Sequence, residues 1–293
     1  ERQEGRKKVI MMGMKAKRRL HTIIFHVLVG GIAIFMFYPI AWMFFSSFKP
    51  TEQVMTTVAQ LFPGSWTLEN YATGWKGFGG ITFATFFKNS FFITILSTAG
   101  AVISSTMVAY GFARANFKGK RVLFLCMMIT MMLPNQVIMI PQYIIFNMLG
   151  WVNTPSPIIV PAWCAKPLFI FMIMQFIEGI PRDLDEAANM DGCSPYTIFT
   201  RIMVPLVKPA MVTCAIFEFY WKWDDYMGSL LYLNSPEKYT VSIALKNFTD
   251  PMSSSDYGAM FAMCVLSLLP VIIIFMLLQK YIVEGVASTG IKG

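Results

Sequence analysis

Apolar positions along this chain gather into six runs of about twenty residues, separated by polar stretches that carry most of the glycine and charge. A run of that length crosses a hydrocarbon core of about 30 Å as an α-helix. The runs fall at about 21–45, 89–112, 122–145, 158–177, 209–229 and 259–279 and predict six transmembrane helices. They divide the chain into a tail at 1–20, a membrane region at 21–283 and a tail at 284–293. Two longer polar stretches interrupt the membrane region, at 46–88 and 178–208. The expected fold class is all-α and polytopic.

Several runs carry polar or helix-breaking residues where lipid would tolerate neither. The second has Ser97, Ala101, Ser105 and Ala109 at intervals of four, a ridge of small residues suited to close helix approach. The third holds Pro134 and Pro141 beside Asn135, Gln136 and Gln142. A kinked span is expected there, with its freed carbonyls and amides turned toward protein or a watery cavity. In the fourth, Lys166 lies among Pro157, Pro161 and Pro167, about 12 Å down from the outer end at 1.5 Å per residue. An ion at that depth faces the bundle interior and has a partner. The fifth offers Glu218 at a similar depth, with Lys222 one turn on. Glu218 can neutralise Lys222 locally, or meet Lys166 and line a route. Both readings stay open at this point.

Composition agrees with the pattern: 14% of residues are charged, against about 25% in soluble domains. The net charge of +8 gains its meaning from placement. With the N-terminus inside, seventeen of the 24 Lys and Arg fall on inside segments and five on outside ones. That is the positive-inside asymmetry, so both ends are expected in the cytoplasm and no nucleic-acid partner is needed. Eight cations in residues 1–20 read as a topology anchor on anionic lipid, and the tail as cytoplasmic rather than as a signal peptide.

Catalytic chemistry finds no purchase. The two histidines, His21 and His26, sit together at the inner end of the first run, as interfacial polar residues do. H-E-x-x-H and G-x-S-x-G are absent. The five cysteines have no metal-ligand spacing, and no metal site is expected. G-x-x-x-x-G-K-[ST] is missing as well, so the chain is not expected to hydrolyse ATP.

The polar segment 181–205, PRDLDEAANMDGCSPYTIFTRIMVP, reads as two short helices with a turn between them. Asp183 is expected to cap the first, with Glu186 completing a capping box. Gly192 ends it, and Ser194 caps the second with Pro195 in its first turn. The second helix would present Tyr196, Phe199, Ile202 and Met203 as one adhesive face. An amphipathic connector on the lipid surface should be basic, but the segment from Glu178 to Lys208 has three cations against five acids. A protein partner is the expected occupant.

These residues carry a resemblance. Glu186-Ala187-Ala188, Gly192, Ile202, Val204 and Pro205 are similar to the E-A-A-x3-G-x9-I-x-L-P signature of ABC-importer permeases, with Val204 in place of the leucine. The ending QKYIVEGVASTGIKG resembles the terminal pattern of maltose-type carbohydrate permeases. The stretch Trp221, Trp223, Asp224, Asp225 resembles the W-x-W/N-D/E-F pattern that such permeases show, and 46–88 resembles their external loop. The likeness runs from about Ile34 to Gly293. Lys166 has no counterpart in the family pattern.

The resemblance implies a type I importer permease fold and a heteromeric complex in the bacterial cytoplasmic membrane. Its other members would be a sister permease, two ATPase subunits carrying ATP and magnesium, and an extracellular solute-binding protein. This chain would hold no cofactor. Glu186, Ala187, Ala188, Asp191, Gly192, Ile202 and Pro205 would couple to the ATPase. The aromatic faces and carboxylates of Trp221, Trp223, Asp224 and Asp225 suit sugar rings and hydroxyls, with Asn135, Gln136, Lys166 and Glu218 further along the pathway. An aromatic interface belt would explain the tryptophans but not the paired aspartates. The alternative is an ion-coupled secondary transporter using Lys166 and Glu218.

Overall fold

The computed structural model describes residues 2–249 and 256–290, with side chains over 18–249 and 256–281. The basic side chains up to Lys17, and those of the terminal pattern beyond Tyr281, lie outside the described residues. Within these limits the chain is helical, with one isolated bridge between Phe78 and Ile81. In chain order the main elements are α1 (Arg2–Ser46), α2 (Phe83–Arg114), α3 (Lys120–Thr130), α4 (Asn135–Met148) and α5 (Pro167–Glu178). They continue with α6 (Asp183–Met190), α7 (Lys208–Trp223), α8 (Tyr226–Tyr232) and α9 (Tyr257–Gly290).

Among the described residues, four helical stretches are long and apolar enough to cross a membrane: Arg18–Ser46, Phe83–Arg114, Ser156–Glu178 and Tyr257–Tyr281. Two bent pairs raise the number to six. These are α3 with α4, at 100°, and the helix Pro195–Leu206 with α7, at 72°. The expected third span, 122–145, is therefore two helices and not one kinked helix. Pro134, which has no N–H to donate, stands immediately before α4 in an extended conformation. The fifth span also ends earlier than expected, at Trp223 and not near 229. Asp225 there accepts from the Gly228 N–H at 2.9 Å and starts α8 afresh. Pro270, by contrast, stays inside a continuous α9.

The chain forms two compact units. One comprises residues 1–71 and 256–265, the other 72–255 and 266–293. In the first, the stretch after α1 is knotted by polar side chains. Asn70 Nδ2 donates to the carbonyls of Ser47 and Lys49 at 2.8 and 2.7 Å, and Thr51 donates to Asp256 at 2.8 Å. Lys49 is 1% exposed, and its ammonium donates to the carbonyls of Thr57 and Gln60 at 3.1 and 2.6 Å. Burial pushes that ammonium below the usual lysine range. The supposed loop thus contains short helices at Thr51–Val54 and Glu69–Lys76 and is folded in its own right.

In the second unit α2 is the central post, packed most extensively against α5 and α7. Its small residues explain why. Ser97, Ala101, Ser105 and Ala109 are all 0% exposed, so the ridge expected from their spacing is the buried face. Gly100 lies beside it, and a Cβ there would run into the ring of Trp163. Large side chains on this ridge would hold the fourth span away.

Candidate functional site: a broken span and the 181–205 loop

Across the middle of the fourth span the helix is interrupted. A 3-10 turn, Val160–Cys164, ends at Ala165, whose φ of 65° and ψ of 151° belong to a region normally reserved for glycine. Lys166 follows in extended conformation, and Pro167 opens α5 at a position where its missing N–H costs nothing. The break is held from two sides. The Lys166 N–H donates to Ser105 Oγ at 2.9 Å, and Lys166 Nζ meets Glu218 Oε2 at 2.5 Å.

Glu218 thus pairs across helices with Lys166. Lys222 turns instead to Asp225, at 3.6 Å. Glu218 is fully buried, while the Lys166 side chain keeps 29% exposure. The other carboxylate oxygen, Oε1, has no hydrogen-bond partner. Lys166 Nζ also stands 5.8 Å from the ring centroids of both Phe169 and Trp221, within the range of a cation–π contact. One ammonium therefore joins a buried carboxylate, two aromatic rings and solvent-accessible space.

The remaining residues of that cluster separate. Trp221 is exposed, with its ring stacked on Phe169 and Phe217 at 5.8 and 6.0 Å. Asp224 is exposed. Trp223 is buried against Phe91 and Phe219, and its indole N–H donates to the Ser267 carbonyl at 3.0 Å. Asp225 caps α8, so local backbone geometry accounts for one of the two aspartates that an interface belt left unexplained. Asn135 and Gln136 open α4 and are exposed.

The segment 181–205 is two helices, as expected, but its details differ. Asp183 does not cap α6. The backbone is already helical at Arg182, so Asp183 falls in the first turn, together with Asp185 and Glu186. No capping box forms, and the three carboxylates act instead on the positive end of the helix dipole. The exit is as the glycine predicts. Gly192 has φ +78°, its N–H donates to Asn189, and the Cys193 N–H donates to Ala188, both at 3.0 Å. This is a Schellman ending, which satisfies two carbonyls left over at the helix end. Ser194 caps the next helix by accepting from the Thr197 N–H at 3.2 Å, with Pro195 behind it.

That helix contains a π-helical stretch, Ile198–Met203. The wider turn rotates the residues beyond it. Ile198 and Met203 are therefore the buried pair, so Met203 leaves the adhesive face expected of it, while Tyr196 is 76% exposed. Glu186, Ala187, Asp191 and Pro205 are exposed, Ile202 is half-buried, and Ala188 packs inward. Leu184 and Met190 escaped sequence reasoning. Both are exposed, Met190 at 89%, and they flank Glu186 on the same short helix. A cavity of about 370 Å³ opens beside Glu186, lined also by Tyr110, Arg114, Asn189 and Pro195.

Comparison with known proteins places this geometry. Residues 101–288 match the family described as binding-protein-dependent transport system inner membrane component. The probable ABC transporter permease protein YurM of Bacillus subtilis is 34% identical over 257 residues, covering 87% of this chain and 84% of that protein. The arabinooligosaccharides transport system permease protein AraQ of Halalkalibacterium halodurans is 31% identical, over 94% of this chain and all of its own. The trehalose transport system permease protein SugB of Mycobacterium tuberculosis is 32% identical, over 96% and 100%. A chain from the crystal structure of a bacterial ABC transporter that imports the acidic polysaccharide alginate aligns with a TM-score of 0.78 and 25% identity, over 90% of this chain and 96% of that one. These matches disfavour the ion-coupled secondary transporter. The chain belongs to the family of inner-membrane permease components of binding-protein-dependent ABC transporters.

Proposed function

We propose that this permease carries sugars, oligosaccharides in particular, into a bacterial cell as one of two permeases in an ATP-driven importer. Two ATPase subunits would bind ATP and magnesium, one of them docking on 178–208, and an extracellular solute-binding protein would deliver the sugar. The membrane domain would run from 21 to 283 with 46–88 outside, between a cytoplasmic tail at 1–20 and another at 284–293. The observation that carries this reading is the surface of 181–205. Glu186, Ala187 and Asp191 face outward beside the exposed Leu184 and Met190, on a helix closed by the Gly192 turn. Apolar knobs next to acids, on a connector with too little chain for its own core, fit a protein groove.

Closure of the ATPase pair would shift this loop and switch the spans between inward- and outward-open arrangements, a two-state element biased by ATP and substrate. Along the sugar route, Lys166, Glu218, Trp221 and Asp224 would offer donors, acceptors and an aromatic edge, with Asn135 and Gln136 further along. The sugars named for relatives support a carbohydrate cargo.

The deciding experiment purifies tagged wild-type chain, and a Glu186→Lys/Gly192→Pro variant, in mild detergent. An ATPase is expected to accompany the wild type and be lost from the variant. Wild type that emerges alone and stable would remove the coupling reading.

A further inference from the structure

At the end of α2, outside every motif considered so far, Arg114 holds two points of the loop at once. Its Nε lies 2.7 Å from Asp185 Oδ2, and its Nη2 donates to the Ile180 carbonyl at 2.8 Å. The two side chains are only 10% and 16% exposed. Ile180 follows the exit of α5, and Asp185 lies in the first turn of α6, so the grip spans the turn at Pro181. A guanidinium suits this task because its planar fork presents several donors in fixed directions, which a lysine ammonium does not. The contact with Asp185 is an ion pair, with hydrogen-bond geometry at neither Nε nor either carboxylate oxygen, so the directed bond of the grip is the one to the Ile180 carbonyl.

We propose that Arg114 is a positioning residue that fastens the coupling loop to α2, so that loop and helix move as one body. The proposal rests on the reading of 181–205 as the ATPase-coupling loop. Its consequence follows from α2 itself. Nine residues back from Arg114 along the same helix, about 14 Å at 1.5 Å per residue, Ser105 Oγ holds the Lys166 N–H at the break in the fourth span. A displacement received by α6 would reach that break through one rigid helix. Were Arg114 and Asp185 merely neutralising each other, their loss would lower stability without separating the motion of the loop from that of α2.

The test uses the complete complex in lipid nanodiscs and follows amide hydrogen exchange with and without ATP plus vanadate. In the wild type, nucleotide is expected to change exchange both in 180–190 and over the last turns of α2. In Arg114→Gln the loop change should persist while the α2 change shrinks by about fivefold or more. ATP hydrolysis should continue in this variant. The charge-swapped Arg114→Asp/Asp185→Arg pair should restore part of the α2 response. Equal responses in Arg114→Gln and wild type would overturn the proposal. Should the glutamine variant fail to accumulate, Arg114→Lys is read instead, because it keeps the charge and loses the two-point grip. An unchanged α2 response there overturns the proposal equally. Absence of an ATPase from the wild-type preparation would strike the coupling reading itself, before any variant is compared.

Discussion

The third and fourth spans are both interrupted near proline, yet they are held in opposite ways. Around the break in the fourth, this chain supplies the main partners: Ser105 takes the Lys166 N–H, Glu218 takes its ammonium, and Gly100 makes room for Trp163. The third span bends by 100° at its break, and neither α3 nor α4 has a buried residue. Backbone and amide groups freed by a break cannot be left facing lipid. The fourth span is therefore a finished piece of machinery within the chain. The third is left uncovered by this chain, and the proposed sister permease would cover it.

The largest expected effect tests the finished side. Glu218→Leu leaves Lys166 without its counter-ion and should cost about 3–5 kcal/mol, read as a lower unfolding temperature of the purified chain. Lys166→Met combined with Glu218→Leu should recover most of that loss, since two apolar residues replace a pair and leave no charge unpaired. A double variant as unstable as the single one would show that the pair has no such role. Gly100→Ala comes next. The Trp163 ring occupies the place of the new methyl group, so about 1–3 kcal/mol should be lost; an unchanged unfolding temperature would mean the fourth span is not seated on α2 as described. The smallest effect belongs to the third span. Ile140, 71% exposed on α4, can become alanine at a cost of about 0.5 kcal/mol or less to the isolated chain. The same change should lower the yield of co-purified sister permease, and retention at the wild-type level would break the contrast between the two spans.

Legibility followed the range over which each feature acts. The ridge on α2 was readable because four-residue spacing in a straight helix puts side chains on one face. The Gly192 exit and the Ser194 cap were readable because each depends on its immediate neighbours. Which partner Glu218 takes was not, since Lys166 is distant in sequence while Lys222 offers the expected i,i+4 spacing. The π-helical stretch at Ile198–Met203 took Met203 off the face expected for it, because facing was reckoned at 3.6 residues per turn. In the sequence Arg114 counts only among the cations of the inside segments. Its targets, a carbonyl at 180 and a carboxylate at 185, lie on a loop that no periodicity connects to α2. The cluster after Glu218 divided for a similar reason: composition marked Trp223 and Asp225 together with Trp221, but packing turned one inward and capping engaged the other.

The break in the fourth span also equips the protein with a native chemical probe. Cys164 is the residue just before Ala165, and it is exposed. A membrane-impermeant thiol reagent will modify it only where water reaches the middle of the span, and a lipid-soluble one will modify it from the bilayer. Of the other cysteines, Cys214 is buried and Cys193 and Cys264 are partly covered, while the exposed Cys126 lies on α3 and can be exchanged for serine. The labelling rate at Cys164 then reports, with no engineered cysteine, when water reaches the break beside Lys166.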